Sequence, residues 1–184
     1  HELKTDEFAD LYAEELKAEG GVISGEQFVD ECQVESDLEL LLPATYVTGS
    51  SERMLLYREL DSLTLDKDVE AFRNRLIDRF GPVPSETEEL LRIVPLRRLA
   101  ARLGAEKVFL KGGRMSLFFI SNPESPYYQS QAFGKVIAYM MKYTRRCDLR
   151  EQNTRRSMLV KDVKNVETAV GVLQEIVAMQ VEEG

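Results

Sequence analysis

Arg75-Leu76-Ile77-Asp78-Arg79-Phe80-Gly81-Pro82-Val83-Pro84 is the stretch on which the reading of this 184-residue chain turns. Val69, Phe72, Leu76, Ile77 and Phe80 recur at helical spacing and make one apolar stripe, which predicts a core-facing helix from Asp66. Gly81 suits the left-handed position that ends such a helix, and Pro82 stops any continuation. Ser85, with Glu88 three residues later, reads as a capping box that opens the next helix at the serine. Taken alone, the run is a connection between two helices and carries no chemistry.

Working outward, Ser50 is expected to cap a helix to about Leu63 that turns Met54, Leu55, Leu56, Leu60 and Leu63 toward the core. Downstream, Pro95 removes an amide donor and predicts a kink or break before Leu96 to Leu103, with Gly104 closing that helix. Ala105 to Lys111 and Arg114 to Ile120 are β-branched or aromatic runs around Gly112-Gly113, a two-residue hairpin signal. After a loop at Asn122-Pro123 and Ser125-Pro126, the residues Phe133, Val136, Ile137, Met140 and Met141 mark another helix. Cys147 to Arg150 and Arg156 to Lys161 form a second hairpin around Gln152-Asn153-Thr154. Asn165 should cap a last helix carrying Val166, Ala169, Val170, Leu173, Ile176 and Val177.

At the other end, Phe8, Leu11, Tyr12 and Leu16 fall on one side of a helix from Thr5 to Lys17, followed by a flexible break at Gly20, Gly21, Ser24 and Gly25. Glu31 to Leu42 alternates. Cys32, Val34, Leu38, Leu40 and Leu42 face one way and a row of carboxylates the other, as on a half-buried edge strand protected by charge. The expected fold is therefore α+β, with helices packed against short antiparallel hairpins. Its expected divisions are a linker helix and glycine-rich break at 1–25, an acidic-faced strand and connection at 26–49, and an α+β domain at 50–184.

Lys and Arg number 24 against 32 Asp and Glu, giving a net charge of −8, which opposes non-specific attraction to a phosphate backbone and favours a basic partner. Cys32 and Cys147 are too few and too separated for a metal cluster, and no run approaches the length of a membrane span. The chain begins at His1 without an initiator methionine and is read as a fragment of a cytoplasmic protein.

A nucleotide motor needs a glycine-rich loop ending in lysine and serine or threonine, and the sequence has none; Gly134-Lys135 is the nearest approach and lacks the upstream glycine. With its one histidine at position 1, the chain offers no triad and no histidine-cysteine metal pattern. Neither catalytic, cofactor-binding nor metal-binding residues are assigned. Lys142, Arg145, Arg146, Arg150, Arg155 and Arg156 cluster around the second hairpin, with Tyr139 and Tyr143 just upstream, which is the composition of a weak single-strand or RNA contact or else of a solvated hairpin.

With Leu56-Tyr57-Arg58-Glu59-Leu60 upstream and Pro95-Leu96-Arg97-Arg98-Leu99-Ala100 downstream, the opening run resembles the C-terminal domain of bacterial transcription-repair coupling factors, over roughly Leu40 to Ala178. The resemblance implies a parent that is an ATP-dependent translocase on double-stranded DNA, using ATP and Mg, which displaces stalled RNA polymerase and recruits nucleotide excision repair. It implies that this domain is a non-catalytic, autoinhibitory clamp. The clamp docks on an N-terminal helicase-like domain of the same protein and masks the surface that binds UvrA, with acidic residues of the signature helix meeting basic ones on the masked domain.

Asp78 is the leading candidate for that contact, with Arg75 and Arg79 beside it. A carboxylate in the last turn of a helix gains nothing from the dipole, so another partner should explain it. The plainer alternative is a local pair with Arg75 or Arg79. Two further readings stay open: a free-standing protein-protein interaction module, and a weak nucleic-acid-binding domain using the hairpin from Arg145 to Arg156.

Overall fold

Gly112 and Gly113 sit at φ +62° and +72°, the left-handed pair that a two-residue hairpin turn requires. They join β2 (Ala105–Lys111) to β3 (Arg114–Phe119), in the register Lys111 opposite Arg114 and Phe109 opposite Ser116. The second hairpin joins β4 (Cys147–Gln152) to β5 (Arg155–Val160), so Gln152 belongs to a strand and the turn is Asn153-Thr154, at φ +53° and +66°. A fifth strand, β1 (Gln33–Ser36), is shorter than the alternation from Glu31 to Leu42 suggests, and it lies at the sheet edge as expected. It pairs parallel with β2, Val34 opposite Val108. The computed structural model describes residues 28–181, so the helix expected from Thr5 to Lys17 and the glycine break after it lie outside the described residues.

The sheet order is β1-β2-β3-β5-β4. Six helices accompany it among the described residues: α1 (Ser50–Ser62), α2 (Asp66–Phe80), α3 (Ser85–Leu91), α4 (Ile93–Arg102), α5 (Gln131–Lys142) and α6 (Val166–Ala178). The architecture is α+β. Val108, Leu110, Met115, Leu117, Met158 and Val160 project from one face of the sheet into a core shared with Leu96, Leu99, Val136, Tyr139, Val172, Leu173 and Ile176. A second, smaller core gathers Leu42, Val47, Leu60, Phe72, Leu76, Leu91 and Val94 under α1 and α2. Helix α4 serves both, because Val94 and Leu96 point in different directions on a helix.

The break expected at Pro95 falls at Arg92, between α3 and α4. The proline has no amide to donate to the Leu91 carbonyl four residues back, which interrupts the ladder there. Asn165 caps α6 as expected, its Oδ1 accepting from the Thr168 amide at 2.7 Å. Glu89 adds to that end by accepting from the Val166 and Glu167 amides at 2.7 and 3.1 Å, a carboxylate placed at the positive end of α6.

Two expected caps are absent. Gly49, not Ser50, precedes α1, and Pro84 precedes α3, with no side-chain hydrogen bond at either cap. Ser85 is thus the first helical residue, and Glu88 turns away to the Arg73 guanidinium, whose Nε lies at 2.9 Å and Nη2 at 2.8 Å. Nor does α1 bury the five apolar residues assigned to it: Leu60 is buried, whereas Met54 and Leu55 are 56% and 63% exposed.

Candidate functional site: the outer face of the α1–α2 hairpin

Helix α2 forms because Phe72 and Leu76, one turn apart, are both buried and the helix ends where Gly81 takes φ +87°, its amide donating to the Ile77 carbonyl. The chain before α1 is stitched to this pair. The Leu42 amide donates to the Tyr57 hydroxyl at 2.7 Å, Tyr46 donates to the Gly81 carbonyl at 2.8 Å, and buried Thr87 donates to the Leu41 carbonyl at 2.8 Å. Phe80 is half-buried against the Tyr46 ring, 5.6 Å between centroids.

Arg75 and Arg79 are both exposed and both reach across to α1, Arg75 to Glu59 and Arg79 to Glu52. The local pair that offered the plain explanation of Asp78 is therefore not formed. Asp78 is exposed in the last turn of α2 and makes no ion pair among the described residues. On α1, the helix that those arginines reach, Met54 and Leu55 are the most exposed large apolar side chains. An uncompensated carboxylate, two arginines held in fixed positions and an apolar pair can dock a partner but offer no acid-base pair or nucleophile. Sequence periodicity missed Met54 and Leu55. A 13-residue helix over a core of this size cannot bury apolar residues on all sides, and the surplus was the available signal.

Beside this face a cleft of about 300 Å³ is lined by Tyr57, Leu60, Asp61, Leu90, Ile93 and Arg97. Its polar groups satisfy each other, Arg97 Nη1 lying 3.0 Å from Asp61. Cys32 borders the adjoining cleft, where burial pushes its thiol up to about 12, the opposite of an activated nucleophile. No group of histidine, cysteine and carboxylate side chains among the described residues could hold a metal, and no helix there is long and apolar enough to cross a membrane.

The basic cluster of the second hairpin is brought together only in part. Tyr139 is fully buried, and the half-buried Tyr143 ring lies against it at 4.7 Å, with Lys142 over the Tyr143 ring at 5.3 Å and the Tyr143 hydroxyl donating to Glu175. Arg146 is spent on the Tyr139 hydroxyl and on the Lys161 and Asp162 carbonyls, while Lys142 pairs with Glu175. Arg156 sits over the Tyr128 ring at 4.3 Å. Arg145 is exposed and makes no ion pair among the described residues.

A sequence profile of the TRCF domain matches residues 36–130. The chain belongs to the TRCF domain family. Among its curated relatives is a transcription-repair-coupling factor of Rickettsia bellii, 29% identical over 150 residues that cover 78% of this chain and 13% of that protein. Another, from Rickettsia typhi, is 26% identical over 149 residues, 79% of this chain and again 13% of the relative. The chain thus spans about an eighth of the length of these relatives. In fold it matches the crystal structure of the C-terminal domain of a transcription-repair coupling factor, with a TM-score of 0.61 and 17% identity, over 80% of this chain and 93% of that one.

Proposed function

We propose that this TRCF domain is the non-catalytic, regulatory C-terminal part of a transcription-repair coupling factor, a cytoplasmic translocase that moves on DNA, displaces stalled RNA polymerase and recruits excision repair. ATP and Mg are used by the parent's motor and not by this domain. Its task is to dock on the N-terminal helicase-like domain of the same protein and cover the UvrA-binding surface until the motor engages. The observation that carries this reading is Asp78, exposed in the last turn of α2 and without an ion pair among the described residues while Arg75 and Arg79 on either side of it are both paired to α1.

Such a clamp needs little energy. A differential interface free energy of about 3 to 5 kcal/mol moves most of a population between closed and open. A charge reversal inside a docked face can supply a penalty of that order, about 2 to 5 kcal/mol, whereas the same change on a solvated face alters stability by about 0.5 kcal/mol or less. Asp78→Arg in the full-length parent should therefore raise capture of UvrA in a pull-down while the isolated domain melts normally. Normal melting with unchanged capture assigns Asp78 to an ordinary solvated face.

A further inference from the structure

The sheet has a second face. The helices bury the side that carries Val108, Met115, Leu117, Met158 and Val160, and the strand registers put the alternate residues on the other side. There Lys107, Phe109, Ser116, Phe118, Arg155 and Ser157 are partly exposed, Lys111, Arg114 and Arg150 are exposed, and Leu159, between Ser116 and Asp148, is buried. This face is basic, on an acidic chain. Glu35 answers Lys107 at 3.1 Å, Asp148 lies 4.0 Å from both Arg150 and Lys161, and Asp37 accepts from the Gly112 amide at the hairpin tip. Lys111, Arg114 and Arg155 make no ion pair among the described residues. Arg155 lies over the Phe118 ring at 5.4 Å, and its Nε is buried without a hydrogen-bond partner.

The net charge of −8 does not argue against a polyanion here. Residues 1–27 hold eight of the carboxylates and two of the lysines, six of the eight net negative charges. The two phenylalanines are diagonal neighbours on adjacent strands, since Phe109 faces Ser116 and Phe118 stands two residues beyond it. Such a diagonal spans about 7 to 8 Å, which suits successive bases of an extended single strand. A duplex keeps its bases inside and cannot use the rings.

We propose that this sheet face binds single-stranded nucleic acid, with bases stacking on Phe109 and Phe118 in place of the Lys107 and Arg155 side chains that lie 5.4 Å over those rings, and phosphates meeting Lys111, Arg114 and the displaced cations. The site is separate from the basic hairpin cluster, whose tyrosines are buried or bonded elsewhere, and independent of the α1–α2 docking face.

The test is fluorescence anisotropy of a dye-labelled oligothymidylate or oligouridylate of about twelve nucleotides, titrated with the full chain at low salt. A duplex of the same length and polyglutamate serve as competitors. Saturable binding is expected that duplex and polyglutamate displace at least about tenfold less well than unlabelled single strand. Phe109→Leu with Phe118→Leu should weaken it about tenfold or more, and Lys111→Gln with Arg114→Gln should lower the salt slope, whereas Arg145→Gln should change nothing. The leucine pair keeps the apolar packing, and the tip residues are exposed, so loss of fold does not mask the result. Absence of saturable binding overturns the proposal, as does equal affinity in the double leucine variant. Equal displacement by polyglutamate also overturns it, since the face would then bind acidic protein.

Discussion

The two hydrophobic cores share α4 and are closed in different ways. Under the sheet, 25 buried residues from four strands, three helices and the connecting segments interlock, and the 3-10 turn at Pro126–Gln129 delivers Tyr127 into the space above Gly104. That approach leaves no room for a side chain, because a Cβ on Gly104 would fall 2.0 Å from the Tyr127 ring. Under α1 and α2, seven buried residues do the same task, and the seam between the helices is closed by Arg75–Glu59 and Arg79–Glu52, pairs of exposed side chains. Exposed pairs contribute about 0 to 1 kcal/mol each, so the helical hairpin rests on much less burial than the sheet. The proposed docking face therefore lies on the region of lower local stability, where moving elements are usually found.

The sheet core should be the more sensitive of the two to truncation. Leu117→Ala removes a fully buried side chain from β3 and should cost about 3 to 5 kcal/mol in chemical denaturation. Phe80→Ala, on the half-buried rim of the smaller core, should cost only about 1 to 2 kcal/mol, through lost contact with Tyr46. Equal losses for the two variants would mean that the cores are not unequal. The smallest effect has the opposite sign. Thr154 is β-branched at φ +66°, a strained combination, and Thr154→Gly should raise stability by about 0.5 to 1 kcal/mol, seen as a higher melting temperature. A lower melting temperature would show that the turn is held by side-chain contacts of Thr154.

What the sequence revealed was mostly local. Gly112-Gly113, Asn165 and Gly81 announce their turns and caps because each solves a backbone problem within a few residues. Pro95 announced a break but not its position, since the missing amide acts on a carbonyl four residues earlier. The capping box at Ser85 failed because Glu88 had a better partner in Arg73, on a helix that local pattern does not bring near. For the same reason the parallel pairing of β1 with β2, about 70 residues away, was not legible, although the alternating exposure of Glu31 to Leu42 was. Of the three candidate site residues, Arg75 and Arg79 turned out to be employed in the α1–α2 seam, which leaves Asp78 as the one whose charge is unspent. Nor could hairpin clustering show which of the second hairpin's cations share a face with Phe118, because that depends on strand register.

The Asp78 face is proposed to be where this domain meets the N-terminal helicase-like domain of its parent. The direct measurement is calorimetric titration of that domain, expressed separately, against the 184-residue chain and against its Asp78→Arg variant. Saturable binding in trans is expected, weakened about tenfold or more by the reversal, with both chains melting at the same temperature. Binding of equal strength in the two, or none in either, would contradict it.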